Sequence, residues 1–258
     1  IIEVIQNTIE GSDYSLRVHY LDEDADEVKE AVRMCREHKP MGILFLGGNI
    51  QYFHEEFELV NVPCVLVTDR ADKLGFRNLA SVSTDDMAAA EMAVDYLFDH
   101  GHRDIAVIGG DMALSSPSKY RKAGAKRSFI KHGCEFKEES YAVARFSYES
   151  AYNAMNRMLA SQRSITAVFA MSDVMAVGAM RAIFDAGLRV PEDISVIGFD
   201  GTLLADYYNP KIVTVCQGYE KIARKSIDLL FGMIDLNKPA THELVPFSLK
   251  NTESVSSI

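Results

Sequence analysis

Four short stretches of this chain carry almost no polar position: Cys64–Val67 (CVLV), Ile105–Ile108 (IAVI), Ala167–Ala170 (AVFA) and Ile194–Phe199 (ISVIGF). Runs this short and this uniformly apolar predict strands covered on both faces, as in a parallel sheet between layers of helix. The segments between them repeat differently. Asp85–Asp99 puts Met87, Ala90, Val94 and Leu97 on one stripe, with Gly101 placed to cap the end of such a helix. Its opening carboxylates, Asp85 and Asp86, complement the positive end of the helix dipole, with Ser83 or Thr84 as N-cap.

Along the whole chain, further strands are expected at Leu16–Leu21, Gly42–Leu46, Tyr141–Ala144, Ile212–Cys216 and Leu244–Leu249. Helices are expected at Ile1–Glu10, Ala25–Glu37, near Tyr52–Leu59, and at Lys119–His132, Glu149–Leu159, Val174–Ala186 and Tyr219–Ile234. Repeated βα units of this kind specify an α/β protein with parallel sheets. The run ASVS at Ala80–Ser83 introduces a second βα series, and the helix Tyr219–Ile234 arrives after that series is complete. The pattern therefore predicts two Rossmann-like subdomains: residues 1–82 with 218–246, and residues 83–217 with 247–258. A doubly wound subdomain opens on a strand, whereas this chain opens on a helix, so a strand is expected upstream of residue 1.

Composition narrows the function classes. The 258 residues are 48% hydrophobic and carry a net charge of −10, a balance that argues against a nucleic-acid surface on this segment. No apolar run approaches the roughly 20 residues of a membrane helix, and the scattered cysteines (Cys35, Cys64, Cys134, Cys216) point to a reducing, cytoplasmic setting. Gly47-Gly48 and Gly109-Gly110 follow strands but form neither GxGxxG nor GxxxxGK[ST]. His100 and His102 flank Gly101 as helix-end cations. There is no nucleophile elbow, HExxH pair or zinc spacing, so no enzyme, metal or cofactor is expected. Polar residues do gather at strand exits: Thr68-Asp69, Ser115–Ser118 (Ser116 among them) with Arg121, Phe146, Ser172-Asp173 and Asp200. In open α/β sheets ligands bind outside the carboxyl ends of strands, and such a set with an aromatic face suits a sugar or nucleoside.

Several of these segments also resemble one family. DHGHRDIAVIGG (Asp99–Gly110), SDVMAVGAMRAI (Ser172–Ile183), GLRVPEDISVIGFDG (Gly187–Gly201), NPKIVTVCQGYEKIARKSIDLL (Asn209–Leu230) and LKNTESV (Leu249–Val255) resemble the effector-sensing core of lactose/galactose-repressor regulators. The resemblance implies two periplasmic-binding-protein-like subdomains joined by three crossovers, with a helix-turn-helix headpiece, a hinge and a first strand upstream. It also implies that Arg121 grips ligand hydroxyls or carboxylates, Asp200 accepts their protons and Phe146 packs on the ligand, while Gln217 and Tyr219 line the hinge. Ser172 departs from the asparagine that many relatives carry before the aspartate. The resemblance further implies a homodimer, for which Val174–Ala186, through Met175, Ala179, Met180 and Ile183, is a candidate face. The expected role is effector sensing in a repressor: a small polar molecule in the inter-subdomain cleft selects a hinge setting, and DNA is bound only through the headpiece. The rival readings are a solute-binding protein for transport or chemotaxis, an α/β enzyme, and a relative that answers to a phosphocarrier protein.

Overall fold

The computed structural model describes residues 1–22, 25–161 and 164–258. In chain order the elements are α1 (Ile2–Ile9), α2 (Glu27–His38), β1 (Ile43–Leu46), β2 (Cys64–Val67), β3 (Leu79–Thr84), α3 (Asp86–Asp99), β4 (Ile105–Gly109), α4 (Ser116–Lys131), β5 (Tyr141–Val143), α5 (Tyr148–Ala160), β6 (Ala167–Ala170), α6 (Asp173–Asp185), β7 (Ser195–Asp200), α7 (Leu203–Tyr207), β8 (Val213–Cys216), α8 (Tyr219–Leu236), β9 (His242–Val245) and β10 (Ser248–Lys250). No helix among the described residues is long and apolar enough to cross a membrane.

Two compact units result, Ile1–Thr84 with Gly218–Pro246 and Asp85–Gln217 with Phe247–Ile258. The first holds a four-stranded parallel sheet in the order β1-β2-β3-β9. Its apolar residues form three clusters: an aromatic one around Phe45, Phe53 and Phe57, one under α8, and one joining α1 to α8 through Ile5, Ala223 and Ile227. The second holds a six-stranded sheet, β10-β8-β7-β6-β4-β5, parallel except for β10 against β8. One continuous core fills it on both faces, and the residues of β4 and β6 are buried throughout. Uniformly apolar strands therefore stand where a sheet is covered twice, as the sequence pattern requires.

Four expectations fail for physical reasons. Leu16–Leu21 is exposed and makes no ladder with any described residue, because a strand needs a partner edge as well as strand-forming residues. The segment near Tyr52–Leu59 forms two short 3₁₀ turns, Ile50–Tyr52 and Glu55–Leu59, held by packing of Phe53 and Phe57 (ring centroids 5.2 Å apart). Leu244–Leu249 is two strands in different units: β9 runs parallel to β3, β10 antiparallel to β8, and Pro246, which has no N–H to give a ladder, lies between. His102 is no helix-end cation. Its ring is buried between Thr166 Oγ1 (3.1 Å) and the Ser256 carbonyl (3.0 Å), and burial holds its pKa below the usual imidazole value.

Candidate functional site

The carboxyl end of the second sheet is organised around Arg121. Helix α4 approaches α3 so closely that a Cβ on Gly124 would lie 2.1 Å from the Met87 carbonyl oxygen. Only a glycine permits that approach, and Arg121, one turn earlier on the same face, is thereby brought to the first turn of α3. Its Nε donates to Asp86 Oδ1 at 2.7 Å, with both side chains about 5% exposed. Its Nη1 donates to the Met171 carbonyl at the exit of β6 (2.6 Å), and its guanidinium lies 3.7 Å over the Phe199 ring of β7. One side chain so ties together α3, α4, β6 and β7.

Asp86 does stand in the first turn of α3, at the positive end of its dipole, but it is buried against Arg121 and not solvated. The N-cap is neither Ser83 nor Thr84 but Asp85, whose carboxylate accepts the Ala88 N–H (3.1 Å). Asp86 lies on the inner stripe and is a buried ion-pair partner. The signal was present in the sequence, because Asp86 sits one turn before Ala90 and continues the line through Ala93 and Leu97.

Around this pair stand the other strand exits. Asp200 ends β7 with φ +122°, a strained setting for any residue but glycine, and accepts a hydrogen bond from Gln217 Nε2 (2.7 Å). Part of Asp200 remains accessible, yet its carboxyl lies deep enough that burial pushes its pKa up to about 7; Arg121 and the Gln217 bond oppose the rise, and Asp173 and Asp86 add to it. Asp173 is buried among donors: the Thr202 N–H (2.7 Å), Thr202 Oγ1 (2.8 Å) and Thr214 Oγ1 (2.6 Å). Burial raises its pKa against those bonds. Phe146, 37% exposed at the exit of β5, lies against Gly110, where a Cβ would come within 2.9 Å of its ring. The Gly110 N–H is taken up by Ser118 Oγ (3.1 Å), so the glycine pair after β4 is a packing device and cradles no phosphate.

Arg121, Asp200, Gln217, Asp173 and Phe146 thus stand at one end of one sheet. Ser172 and Ser116 are there too, but Ser172 caps α6 by accepting the Met175 N–H (3.1 Å), and Ser116 is buried in the first turn of α4. Thr68, Asp69 and Tyr219 belong to the first unit. Thr68 leaves β2 at φ +72°, Asp69 is buried and accepts the Arg70 N–H (2.7 Å), and half-buried Tyr219 opens α8. Met175, Ala179, Met180 and Ile183 are fully buried in the core of the second unit, so they offer no face to a partner. The stripe of α6 that does reach the surface is Val174, Val177, Arg181 and Phe184. Sequence reasoning missed Asp86 and Phe199, which hold Arg121 in place. A shallow groove of about 630 Å³ in the first unit, between Phe53, Phe76, Glu55 and Glu58, is rimmed by carboxylates and lacks such a convergent set.

Residues 94–255 match the periplasmic binding protein-like domain family. The chain is 33% identical over 260 residues to the HTH-type transcriptional regulator MalR of Clostridium butyricum, a match covering 99% of this chain and 77% of that protein. Among solved structures it superposes on the transcriptional regulator CelR in complex with cellobiose (TM-score 0.87, 24% identity, 98% of this chain and 77% of that one). It also superposes on a LacI-family regulator of Enterococcus faecium with bound ribose (TM-score 0.84, 21% identity, 100% and 93%). The structural likenesses establish the fold, while the family match and the kinship to MalR establish more. The chain belongs to the periplasmic-binding-protein-like family and is the effector-binding core of a LacI-family transcriptional regulator.

Proposed function

We propose that this core senses a small hydroxylated effector at the carboxyl end of the second unit's sheet and, by binding it, sets the operator affinity of a DNA-binding segment. The carrying observation is the convergence there of a fixed guanidinium (Arg121), a carboxyl on a strained backbone (Asp200) and a half-exposed ring (Phe146). That set offers donors, an acceptor and a stacking face, which is what a polyhydroxylated ring requires. The sugars bound by CelR and by the Enterococcus faecium regulator support a sugar. An effector that binds one conformation better than another shifts their populations by its differential affinity. The regulator acts as a homodimer in the cytoplasm, contacts DNA through residues outside this chain and turns over no substrate.

A thermal-shift panel of cellobiose, ribose, galactose and nucleosides tests this. An effector at ~100 times its Kd adds about 2.7 kcal/mol, a rise in Tm of roughly 5–10 °C for a chain of this size. The reading requires such a rise and its loss in Asp200→Asn. No rise with any member, or a rise unchanged in D200N, overturns it.

A further inference from the structure

The charge balance at this sheet end bears on which effectors it admits, an inference that rests on the sensing role just proposed. An arginine at a ligand edge would ordinarily make the site a receptor for carboxylates and phosphates, because its planar fork matches those groups. Here Arg121 already has a carboxylate, Asp86, against Nε at 2.7 Å, a carbonyl against Nη1 at 2.6 Å and an aromatic ring beneath it. The remaining buried ionisable groups at these strand exits, Asp173 and Asp200, are acids. The neighbouring buried cation, Lys122, is turned to Glu138 (2.6 Å) and to the Tyr141 ring, 4.3 Å away. An anion arriving here meets a cation whose charge is answered, and two more carboxyl groups beside it.

We infer that Asp86 is a specificity-determining positioning residue: it holds Arg121 in a neutral pair, so that this edge accepts uncharged sugars and rejects sugar acids and sugar phosphates. Asp86 acts through Arg121, and its effect is on the charge class of effector. A chain that used the same arginine for anionic effectors would carry a neutral residue in its place. The same placement explains why a carboxylate is tolerated on the inner stripe of α3 at all, since a buried pair resists loss of either member.

The experiment compares D-galactose with D-galacturonate, and adds inorganic phosphate at millimolar concentration against chloride of equal ionic strength, on the full chain and on Asp86→Asn. The wild type is expected to bind galactose at least ~10-fold more tightly than galacturonate, since like-charge juxtaposition costs several kcal/mol, and to show no rise in Tm with phosphate. D86N is expected to reverse the sugar preference and to gain stability from phosphate. Galacturonate binding as well as galactose in the wild type, or phosphate stabilising the wild type as much as D86N, overturns the inference. If neither sugar binds, the proposed function has failed for hexoses, while the phosphate comparison still decides the role of Asp86. If D86N does not fold, the wild-type arms decide it: phosphate stabilisation refutes the inference, and indifference to phosphate supports it.

Discussion

The carboxyl ends of the two sheets are built on different principles. In the second unit, charge is buried and answered: Asp86 by Arg121, Asp173 by two threonines, Asp200 by Gln217, all over one continuous core. In the first unit the polar exits are spent on backbone. Glu27 accepts the Asn49 N–H (2.5 Å) and Asp69 accepts that of Arg70, while Ser81 Oγ, inside β3 and not at its exit, takes the N–H of Ala71 and meets the His242 ring at Nδ1 (2.9 Å). Its core is divided into three clusters, and Leu16–Leu21 makes no ladder with any described residue. Capping and turn bonds fix a local chain path, whereas Arg121, through its ion pair with Asp86, its bond to the Met171 carbonyl and its contact with the Phe199 ring, fixes the relative placement of four elements. A site that must discriminate among ligands gains from the second arrangement.

The contrast can be broken most severely at Arg121. Arg121→Ala breaks the buried Asp86–Arg121 pair by removing one member, which should cost about 3–5 kcal/mol. Hydrogen exchange read by strand should then lose protection in β4, β6 and β7 and keep it in β2 and β3; equal loss in both units would show that the pair serves the whole molecule. Gly124→Ala comes next. The added methyl meets the Met87 carbonyl, so α4 must move from α3 at about 1–3 kcal/mol, read as a lower urea midpoint.

Asp200 gives an effect that is graded by pH and small over any one pH unit. Its folded pKa, about 7, stands above the roughly 4 of an unfolded aspartate. The folded state therefore holds the proton more tightly, so the contribution is fully present below about pH 4 and is lost as pH rises toward 7. Stability should fall on the order of 1 kcal/mol per pH unit across that window and be flat above it. Asp200→Asn should remove that slope in urea titrations at stepped pH. The least effect is expected at Val18→Thr in the unladdered segment, within about 0.5 kcal/mol of the parent. A larger loss would mean that Leu16–Leu21 is packed in solution.

Much of this was legible in the sequence, but unevenly. Strands covered on both faces, such as Cys64–Val67 and Ala167–Ala170, announce themselves because every position must be apolar. Leu16–Leu21 misled because a run of residues states which of them could form a strand and not whether an edge is there to receive it. Leu244–Leu249 misled because the chain changes units at Pro246 and Phe247, and hydrophobicity does not register such a change. Arg121 and Asp200 were found from their places at strand exits and from family likeness. Asp86 was missed because a carboxylate in a first helical turn has a ready local explanation. Its place one turn before Ala90 on the inner stripe was the local sign; Gly124, 38 positions away in sequence number, adds a second that has meaning only once two helices are seen in contact.

The most direct test of the effector edge is hydrogen exchange on the chain with and without the sugar that gives the largest thermal shift. The account predicts slowed exchange at residues 110–118, 144–147 and 200–202 of the second unit, lost together in Phe146→Ala with D200N. Protection confined to residues 49–58 of the first unit, with the second sheet's strand exits unchanged, would contradict it.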